Sequence, residues 1–307
     1  MPEVLSGFAL LGVVVGIGYV LGRIKLLGDA AEVPLSRLSF SVAAPALLFT
    51  ILYRADVRAV FSGAATVAVV TATVVALLYV VLARLLLLRP SQEVVIGALC
   101  ASYVNTNNLG IPLLVLVVGS AAVVAPVMLF QVLVMMPLSF IALDLLTGRG
   151  GTSRWRVRLA ATRNPLVVSV ALGFVVAAVG WHPPEIVMAP IEMLGGAAVP
   201  LMLLAFGLSL YGAPLPGRGR DSGAMWLAVV LKTVAAPAIA YAVGARLFGL
   251  DGRELLTAMV VAALPSAQNI FVHAVRYGVS FGLAREAVLL TTLLSLPLIL
   301  LITAIFA

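Results

Sequence analysis

Charged residues are scarce in this sequence. Asp, Glu, Lys and Arg make up 10% of its 307 residues, whereas soluble domains usually contain about 25%. Hydrophobic residues make up 63% of the chain, and the mean hydropathy is +1.19. A water-facing surface needs more polar atoms than this composition supplies, which excludes an ordinary soluble protein.

Groups that carry catalysis or hold metals are also scarce. Cys100 is the only cysteine, so neither an intrachain disulfide nor a cysteine metal cluster can form. The sequence contains no His-Glu-x-x-His motif and no ATPase-type phosphate-binding loop. It also contains no DNA- or RNA-binding motif, although the net charge is +7. We therefore expect neither an enzyme nor a nucleic-acid-binding protein, and we expect no metal and no cofactor.

Ten apolar runs approach the length of about 20 residues that a helix needs to cross a bilayer. The runs are Val4–Gly22, Val33–Tyr53, Val60–Leu88, Val94–Val118, Ala122–Leu146, Pro165–Gly180, Val187–Leu210, Ala224–Phe248, Leu255–Tyr277 and Ala284–Phe306. Since a helix satisfies its own backbone hydrogen bonds in lipid, the sequence predicts an all-α integral membrane protein with ten transmembrane helices. In helix 1, Gly12-x-x-x-Gly16 and Gly18-x-x-x-Gly22 allow another helix to approach closely, in a dimer or within the protomer.

The basic residues alternate between the two sides of this arrangement. Thirteen lie near or after the ends of odd-numbered runs: Arg23, Lys25, Arg84, Arg89, Arg149, Arg154, Arg156, Arg158, Arg163, Arg218, Arg220, Arg276 and Arg285. Four lie near or after the ends of even-numbered runs: Arg54, Arg58, Arg246 and Arg253. Because basic residues stay in the cytoplasm, we expect a multi-pass protein of the cell's inner (plasma) membrane with both termini outside the cytoplasm.

The two halves of the chain resemble each other. We predict a first five-helix repeat at residues 1–147, a cytoplasmic linker at 148–164 and a second repeat at 165–307, inverted because each half has an odd number of helices. Pro45 and Pro112, in helices 2 and 4, are 67 residues apart, and Pro200 and Pro265, in helices 7 and 9, are 65 apart. Internal symmetry of this kind is common in transporter folds.

Helices 4 and 9 carry helix-disrupting and polar residues near the middle of the membrane. In helix 4 these are Asn105, Thr106, Asn107, Asn108, Gly110 and Pro112. In helix 9 they are Pro265, Ser266, Gln268 and Asn269. Proline removes a backbone donor, and freed backbone groups must be shielded from lipid. We predict two broken helices whose amide ends face a cavity and can bind an anion; a pair of packed proline kinks is the alternative.

Three other polar residues lie within the predicted spans. Lys232 in helix 8 either attracts an anion or snorkels to the membrane surface. His273 in helix 9 either couples proton movement to transport or is a packed, hydrogen-bonded core residue. Gln131 in helix 5 either adds a polar group to the cavity or bonds between helices.

Helix 4 carries a resemblance to a known family. The segment Asn105-Thr106-Asn107-Asn108-Leu109-Gly110-Ile111-Pro112-Leu113 is similar to the Asn-(x)4-Gly-x-Pro-Leu pattern of the auxin efflux carrier family, which includes plant PIN carriers and bacterial malate and malonate permeases. The resemblance implies that helices 4 and 9 cross at their breaks. It also implies a scaffold of helices 1, 2, 6 and 7 that forms a homodimer, and a moving domain of helices 3–5 and 8–10. Asn105 occupies the family's substrate-contacting position.

Together these features predict a secondary transporter of small organic anions, chiefly carboxylates. We expect alternating access by an elevator mechanism, coupled to protons or driven by the membrane potential. The nearest alternative is a sodium-coupled symporter of the bile-acid type. An anion channel or a membrane receptor is the alternative from another functional class.

Overall fold

The structure is a computed structural model. It describes residues 2–28, 31–54, 62–119, 123–147, 165–181, 183–212, 215–217 and 221–306. The predicted linker 148–164 lies outside these residues. Within them the chain is helical apart from turns and one isolated β-bridge, so the fold is an all-helical membrane fold.

The described helices form ten consecutive units, which we number α1–α10. They are α1 (Pro2–Arg23), α2 (Glu32–Leu38 and Ala44–Tyr53), α3 (Gly63–Leu85), α4a (Ser91–Ser102) and α4b (Ile111–Val118), α5 (Val124–Phe130 and Met136–Leu146), α6 (Pro165–Val179), α7 (Glu185–Gly196 and Ala198–Leu210), α8 (Ser222–Val230 and Ala236–Leu247), α9a (Gly252–Ala263) and α9b (Asn269–Tyr277), and α10 (Phe281–Phe306).

Six helices of the described chain are long and apolar enough to cross a membrane by themselves. They are Glu32–Thr50, Gly63–Leu85, Pro126–Leu146, Glu185–Leu210, Ser222–Leu247 and Phe281–Phe306. Three of the other predicted spans are shorter or interrupted: α6 has 15 residues, and α4 and α9 are each broken near their middle. Multiple membrane crossings therefore follow from helix length and composition.

Every π-helical turn in the described residues is followed closely by a proline. The turns are Ser39–Ala43 in α2, Thr106–Gly110 before α4b, Gln131–Met135 in α5 and Leu231–Ala235 in α8. In each case a proline is the second residue after the turn: Pro45, Pro112, Pro137 and Pro237. Proline has no N–H and its ring clashes with the carbonyl four residues earlier. A widened turn relieves that clash and adds one residue, which rotates the following helix face by about 100°.

The helices pack in two groups. In one group α1 packs along the second half of α7, while α6 and the first half of α7 pack along the second half of α2. In the other group α3 packs on α4a, α8 and α9a, and α10 packs on α8 and α9a. Contacts also join the two groups, because α9b packs on α2 and α7 as well as on α10.

Glycines allow α1 and α7 to approach closely. A Cβ on Gly207 would lie 2.9 Å from the Cα of Gly18 and would also overlap the Val15 carbonyl. A Cβ on Gly22 would lie 3.0 Å from the Cβ of Tyr211, the residue that follows α7, whereas a Cβ added to Gly12 or Gly16 would meet no atom of the described residues within 4 Å. The second glycine pair of α1 therefore packs within the protomer, and the first pair does not.

Candidate functional site

The interruptions of α4 and α9 pair with each other. Val104 and Ser266 form an isolated antiparallel β-bridge. The N–H of Asn105 donates to the Pro265 carbonyl at 2.8 Å, and the N–H of Ala267 donates to the Tyr103 carbonyl at 3.2 Å. Because a buried backbone group must find a partner, the two breaks stabilise each other, and neither would be stable alone.

The break in α4 is shorter than its sequence suggests. The helix stops at Ser102, and the chain returns to a π-helical turn at Thr106. Residues 106–110, which belong to the predicted break, therefore form a π-helical turn. Gly110 lies against the crossing. A Cβ on Gly110 would be 3.1 Å from Leu264 Cδ1 and 3.2 Å from the Asn105 carbonyl oxygen. A side chain at this position would require Leu264 or the backbone to shift by a few tenths of an ångström.

Side chains from α5 and α10 support the crossing. Gln131 donates from Nε2 to the Val104 carbonyl at 3.0 Å and accepts from the Thr106 hydroxyl at 3.4 Å. In the interruption of α9, the Ser266 N–H donates to the Thr291 hydroxyl at 3.1 Å, and the Ser266 hydroxyl donates to the Cys100 carbonyl. Since both polar groups of Ser266 are occupied, its position in the structure is a supporting one.

A cavity of about 80 Å³ lies beside the crossing. Its polar wall comes from the two breaks and the start of α9b: Asn105, Thr106, Gln268, Asn269 and His273. Its opposite wall comes from α2 and α7, which contribute Ala44, Leu47, Val199 and Met202 next to Pro45 and Pro200. The cavity therefore lies between the two helix groups, where a relative movement of the groups would change access to it.

Three of the six buried side-chain polar atoms that have no partner among the described residues lie at this cavity. Asn105 donates from Nδ2 to Gln268 Oε1 at 2.9 Å. By contrast, Asn269 Oδ1 and both ring nitrogens of His273 are buried. None of these three atoms has a hydrogen-bond partner among the described residues. The His273 ring packs edge-on against Phe40 and Phe140, with centroids 5.5 and 4.9 Å apart. Buried polar atoms of this kind are uncommon and indicate a place that a ligand or water fills.

The remaining candidate residues lie elsewhere. Lys232 is not in the wall of this cavity; it lies in the π-turn of α8, where Nζ donates to the Ala262 carbonyl at 3.0 Å. Pro265 contributes its carbonyl to the crossing. Asn107 and Asn108 belong to the π-turn and Pro112 to α4b, but their side chains lie outside what the structure describes.

Several residues of the site were not predicted. Tyr103 lines the cavity, and Thr291 and Cys100 hold Ser266. The apolar wall from α2 and α7 had a signal in the sequence, because Pro45 and Pro200 occupy matching positions in the two halves. Tyr103 and Thr291 had none, since their roles depend on contacts between distant helices.

A Gly-x-Ser-x-Gly pattern occurs at Gly278–Gly282 but in the wrong context for catalysis. In hydrolases this motif joins a strand to a helix. Here it joins α9b to α10, with Ser280 at a φ of 43° in the turn. The segment therefore serves as a helix connection.

Residues 6–303 match the family described as membrane transport protein. The chain belongs to this family. Within the membrane transport protein family it is 28% identical over 286 residues to a Rhizobium meliloti protein named "Putative malonate transporter", covering 91% of this chain and 88% of that protein. It is 26% identical to an uncharacterized transporter of Methanothermobacter thermautotrophicus, covering 92% of each chain.

A plant relative extends the comparison. A rice protein (Oryza sativa subsp. japonica) named "Probable auxin efflux carrier component 5b" is 36% identical over 149 residues, which cover 47% of this chain and 39% of that protein. These relationships confirm the resemblance to the auxin efflux carrier family. The protein is a membrane transporter, and the family consists of transporters rather than enzymes.

Proposed function

We propose that the protein is a secondary transporter that carries small organic carboxylates across the membrane by alternating access. The substrate binds in the cavity beside the crossing of α4 and α9. The observation that carries this proposal is the cluster of amide and imidazole groups at that cavity, part of it without partners, between two separately packed helix groups.

The cavity has the chemistry to bind an anion through hydrogen-bond donors, without a charged side chain in its wall. No Lys, Arg, Asp or Glu is among its lining residues in the described part of the chain. Donors come instead from side-chain amides, from a His273 N–H and from the amino end of α9b, which begins at Asn269. A helix amino end carries about half a positive charge. Amide side chains can rotate to present either N–H or oxygen, so Asn269 can turn a donor toward a carboxylate.

The size of the cavity supports a small substrate. At about 80 Å³ it is well below the ~300–1,000 Å³ of pockets for drug-sized ligands. Malonate, named for the bacterial relative, is a three-carbon dicarboxylate of suitable size. We therefore place short mono- and dicarboxylates first among the substrates.

The proposed architecture is ten transmembrane helices in two inverted five-helix repeats. The reciprocal hydrogen bonds of the crossing, from Asn105 to Pro265 and from Ala267 to Tyr103, are what a two-fold relation between α4 and α9 produces. Helices α1, α2, α6 and α7 act as the scaffold, and the other group moves with the substrate. Both termini lie outside the cytoplasm in the inner (plasma) membrane.

We also propose a homodimer formed through the scaffold helices. Gly12 and Gly16 of α1 have space around them, and Val13, Ile17 and Val20 are exposed on the same helix. Cross-linking in membranes tests this arrangement. A dimer that Gly16→Leu leaves intact would place the interface elsewhere.

Uptake into proteoliposomes tests the function directly. Radiolabelled malonate and a series of short carboxylates should enter saturably, and they should raise the melting temperature of the purified protein with concentration. The assay is run with and without sodium, with imposed pH gradients and with imposed membrane potentials. Dependence on sodium would support the bile-acid type of symporter instead, and non-saturable flux would support a channel. Binding without flux would support a receptor.

A further inference from the structure

A second polar cavity lies next to the crossing but is separate from the substrate cavity. It has a volume of about 20 Å³, and Val104 is the one residue that lines both. Lys232 of α8, Thr71 of α3, Gln131 of α5 and Ser102 of α4a supply its polar groups. Its other walls are Ala, Val and Phe side chains.

Lys232 brings a charge into this cavity without a matching carboxylate. The side chain is 2% exposed, and Nζ donates to the Ala262 carbonyl. It forms no ion pair within the described residues, and no Asp or Glu lines the cavity. An ammonium group has three donors and no acceptor, and a buried charge is costly unless it is paired. The protonated side chain therefore needs a negative charge that the described lining does not supply.

The buried hydroxyl of Thr71 is independent evidence that a bound species occupies the cavity. Threonines in these helices usually donate to the carbonyl four residues earlier, as Thr73 and Thr233 do to Val69 and Val229. The Thr71 hydroxyl has no partner among the described residues, although the residue is 2% exposed. Leaving a buried hydroxyl unpaired is unfavourable.

The other polar groups of the cavity are already engaged. The Ser102 hydroxyl donates to the Ala98 carbonyl, and Gln131 donates from Nε2 to the Val104 carbonyl. The cavity therefore lacks one hydrogen-bond acceptor that could accept from both the Lys232 ammonium and the Thr71 hydroxyl. A cavity of about 20 Å³ has room for one particle of about the size of a water molecule, so an organic acid does not fit.

We propose that this cavity binds a single small monovalent anion, such as chloride, between the Lys232 ammonium and the Thr71 hydroxyl. The anion accepts from both groups and supplies the missing negative charge. A water molecule would satisfy Thr71 but would leave the ammonium uncompensated. Because α3 and α8 each pack on α9a, the bound anion holds these helices together behind the crossing, whether or not a substrate is present.

Thermal unfolding of the purified protein in detergent tests the site without any organic substrate. Chloride replaces methanesulfonate, an anion that is not a carboxylate, at constant sodium concentration and ionic strength. The melting temperature should rise saturably with chloride or bromide, as linkage of binding to folding requires. Thr71→Val should lower the apparent chloride affinity about tenfold, the usual cost of one hydrogen bond to a charged group. Lys232→Met should abolish the dependence.

Thr73→Val is the matched control, because it removes a hydroxyl from the same helix that bonds its own backbone. It should keep the wild-type chloride response. Crystals grown in bromide should show an anomalous peak in the cavity. Equal melting curves in chloride and methanesulfonate, an unchanged response in Thr71→Val, or a bromide map without a peak beside Lys232 would each overturn the proposal. The bromide experiment uses the wild-type chain and so remains decisive if Lys232→Met does not fold.

Discussion

Asn105 donates a hydrogen bond of 2.9 Å from Nδ2 to Oε1 of Gln268, 163 residues further along the chain. The two side chains belong to different helix interruptions and line the same cavity. Their contact joins the two halves of the chain at the place where the backbone segments also pair. If the substrate binds where we propose, its affinity and the contact between the two halves depend on the same few groups.

Asn105→Ala should weaken carboxylate binding about 10- to 150-fold, because a hydrogen bond to a charged group contributes roughly 1.5–3 kcal/mol. Asn269→Ala should have a similar effect, since both residues line the cavity. Calorimetry or scintillation proximity with purified protein measures the affinities. Ser295→Ala is the control, because Ser295 is buried on α10 and its hydroxyl donates to the Thr292 carbonyl of its own helix, away from the cavity. Wild-type affinity in both asparagine variants would place the substrate elsewhere.

Ser266→Ala should affect stability more than affinity. Its hydroxyl bonds the Cys100 carbonyl and the residue is fully buried, outside the lining of the cavity. Loss of that bond should lower the free energy of unfolding by about 1 kcal/mol, while the affinity for carboxylates stays within about twofold. Thermal unfolding and ligand titration of the same preparation separate the two effects. A large loss of affinity with unchanged stability would assign Ser266 to substrate contact.

A double variant with Val104→Cys and Ser266→Cys, in a Cys100→Ala background, should form a disulfide on mild oxidation. The pattern of hydrogen bonds around Val104 and Ser266 makes them a non-hydrogen-bonded antiparallel pair. Such pairs have Cα atoms about 4.5 Å apart, within the range for disulfides. Mass spectrometry of proteolytic fragments detects the link.

Val104→Cys with Ala267→Cys is the control for that experiment. Successive side chains in extended backbone point to opposite faces, so this pair should link poorly. Equal yields in the two double variants, or no link in either, would mean that α4 and α9 do not cross as the structure has them.

Gly207→Ala should destabilise the protein by about 1–3 kcal/mol, as overpacking of a tight contact usually does. The new methyl group would press on Val15 and Gly18 of α1. Gly282→Ala is the matched control: it adds the same group to the first turn of α10, where no described atom lies within 4 Å, and it should be neutral or slightly stabilising because alanine favours helix. Thermal unfolding of both variants checks this. Equal melting temperatures would contradict the close packing of α1 and α7.

Single cysteines at Ser120 and Ser153, in a Cys100→Ala background, test the orientation. Both positions lie outside the described residues, so the prediction comes from the asymmetry of the basic residues. A membrane-impermeant maleimide added to intact spheroplasts should label the Ser120 position. It should label the Ser153 position only after the membrane is opened. Labelling of both from outside would exclude ten helices with external termini.

The positions of the two breaks were predictable from sequence, because their causes are local. Pro112, Gly110 and Pro265 disrupt a helix wherever they occur, and three asparagines in an apolar run favour a shielded cavity. The extent of the first break was not predictable. Residues 106–110 form a π-helical turn. This turn contacts Leu264 and Gln131, which are distant in the sequence.

Sequence alone therefore determined the membrane class, the positions of the polar interruptions and the family, since composition, periodicity and short motifs carry that information. Only the tertiary structure decided which polar residues share a cavity. Asn105 and Gln268 meet at one cavity, whereas Lys232 lines the other, away from Asn269 and His273. The physical reason is that each π-turn rotates the helix after it by about one residue, or ~100°, and that the partner of a buried side chain is set by packing between distant helices.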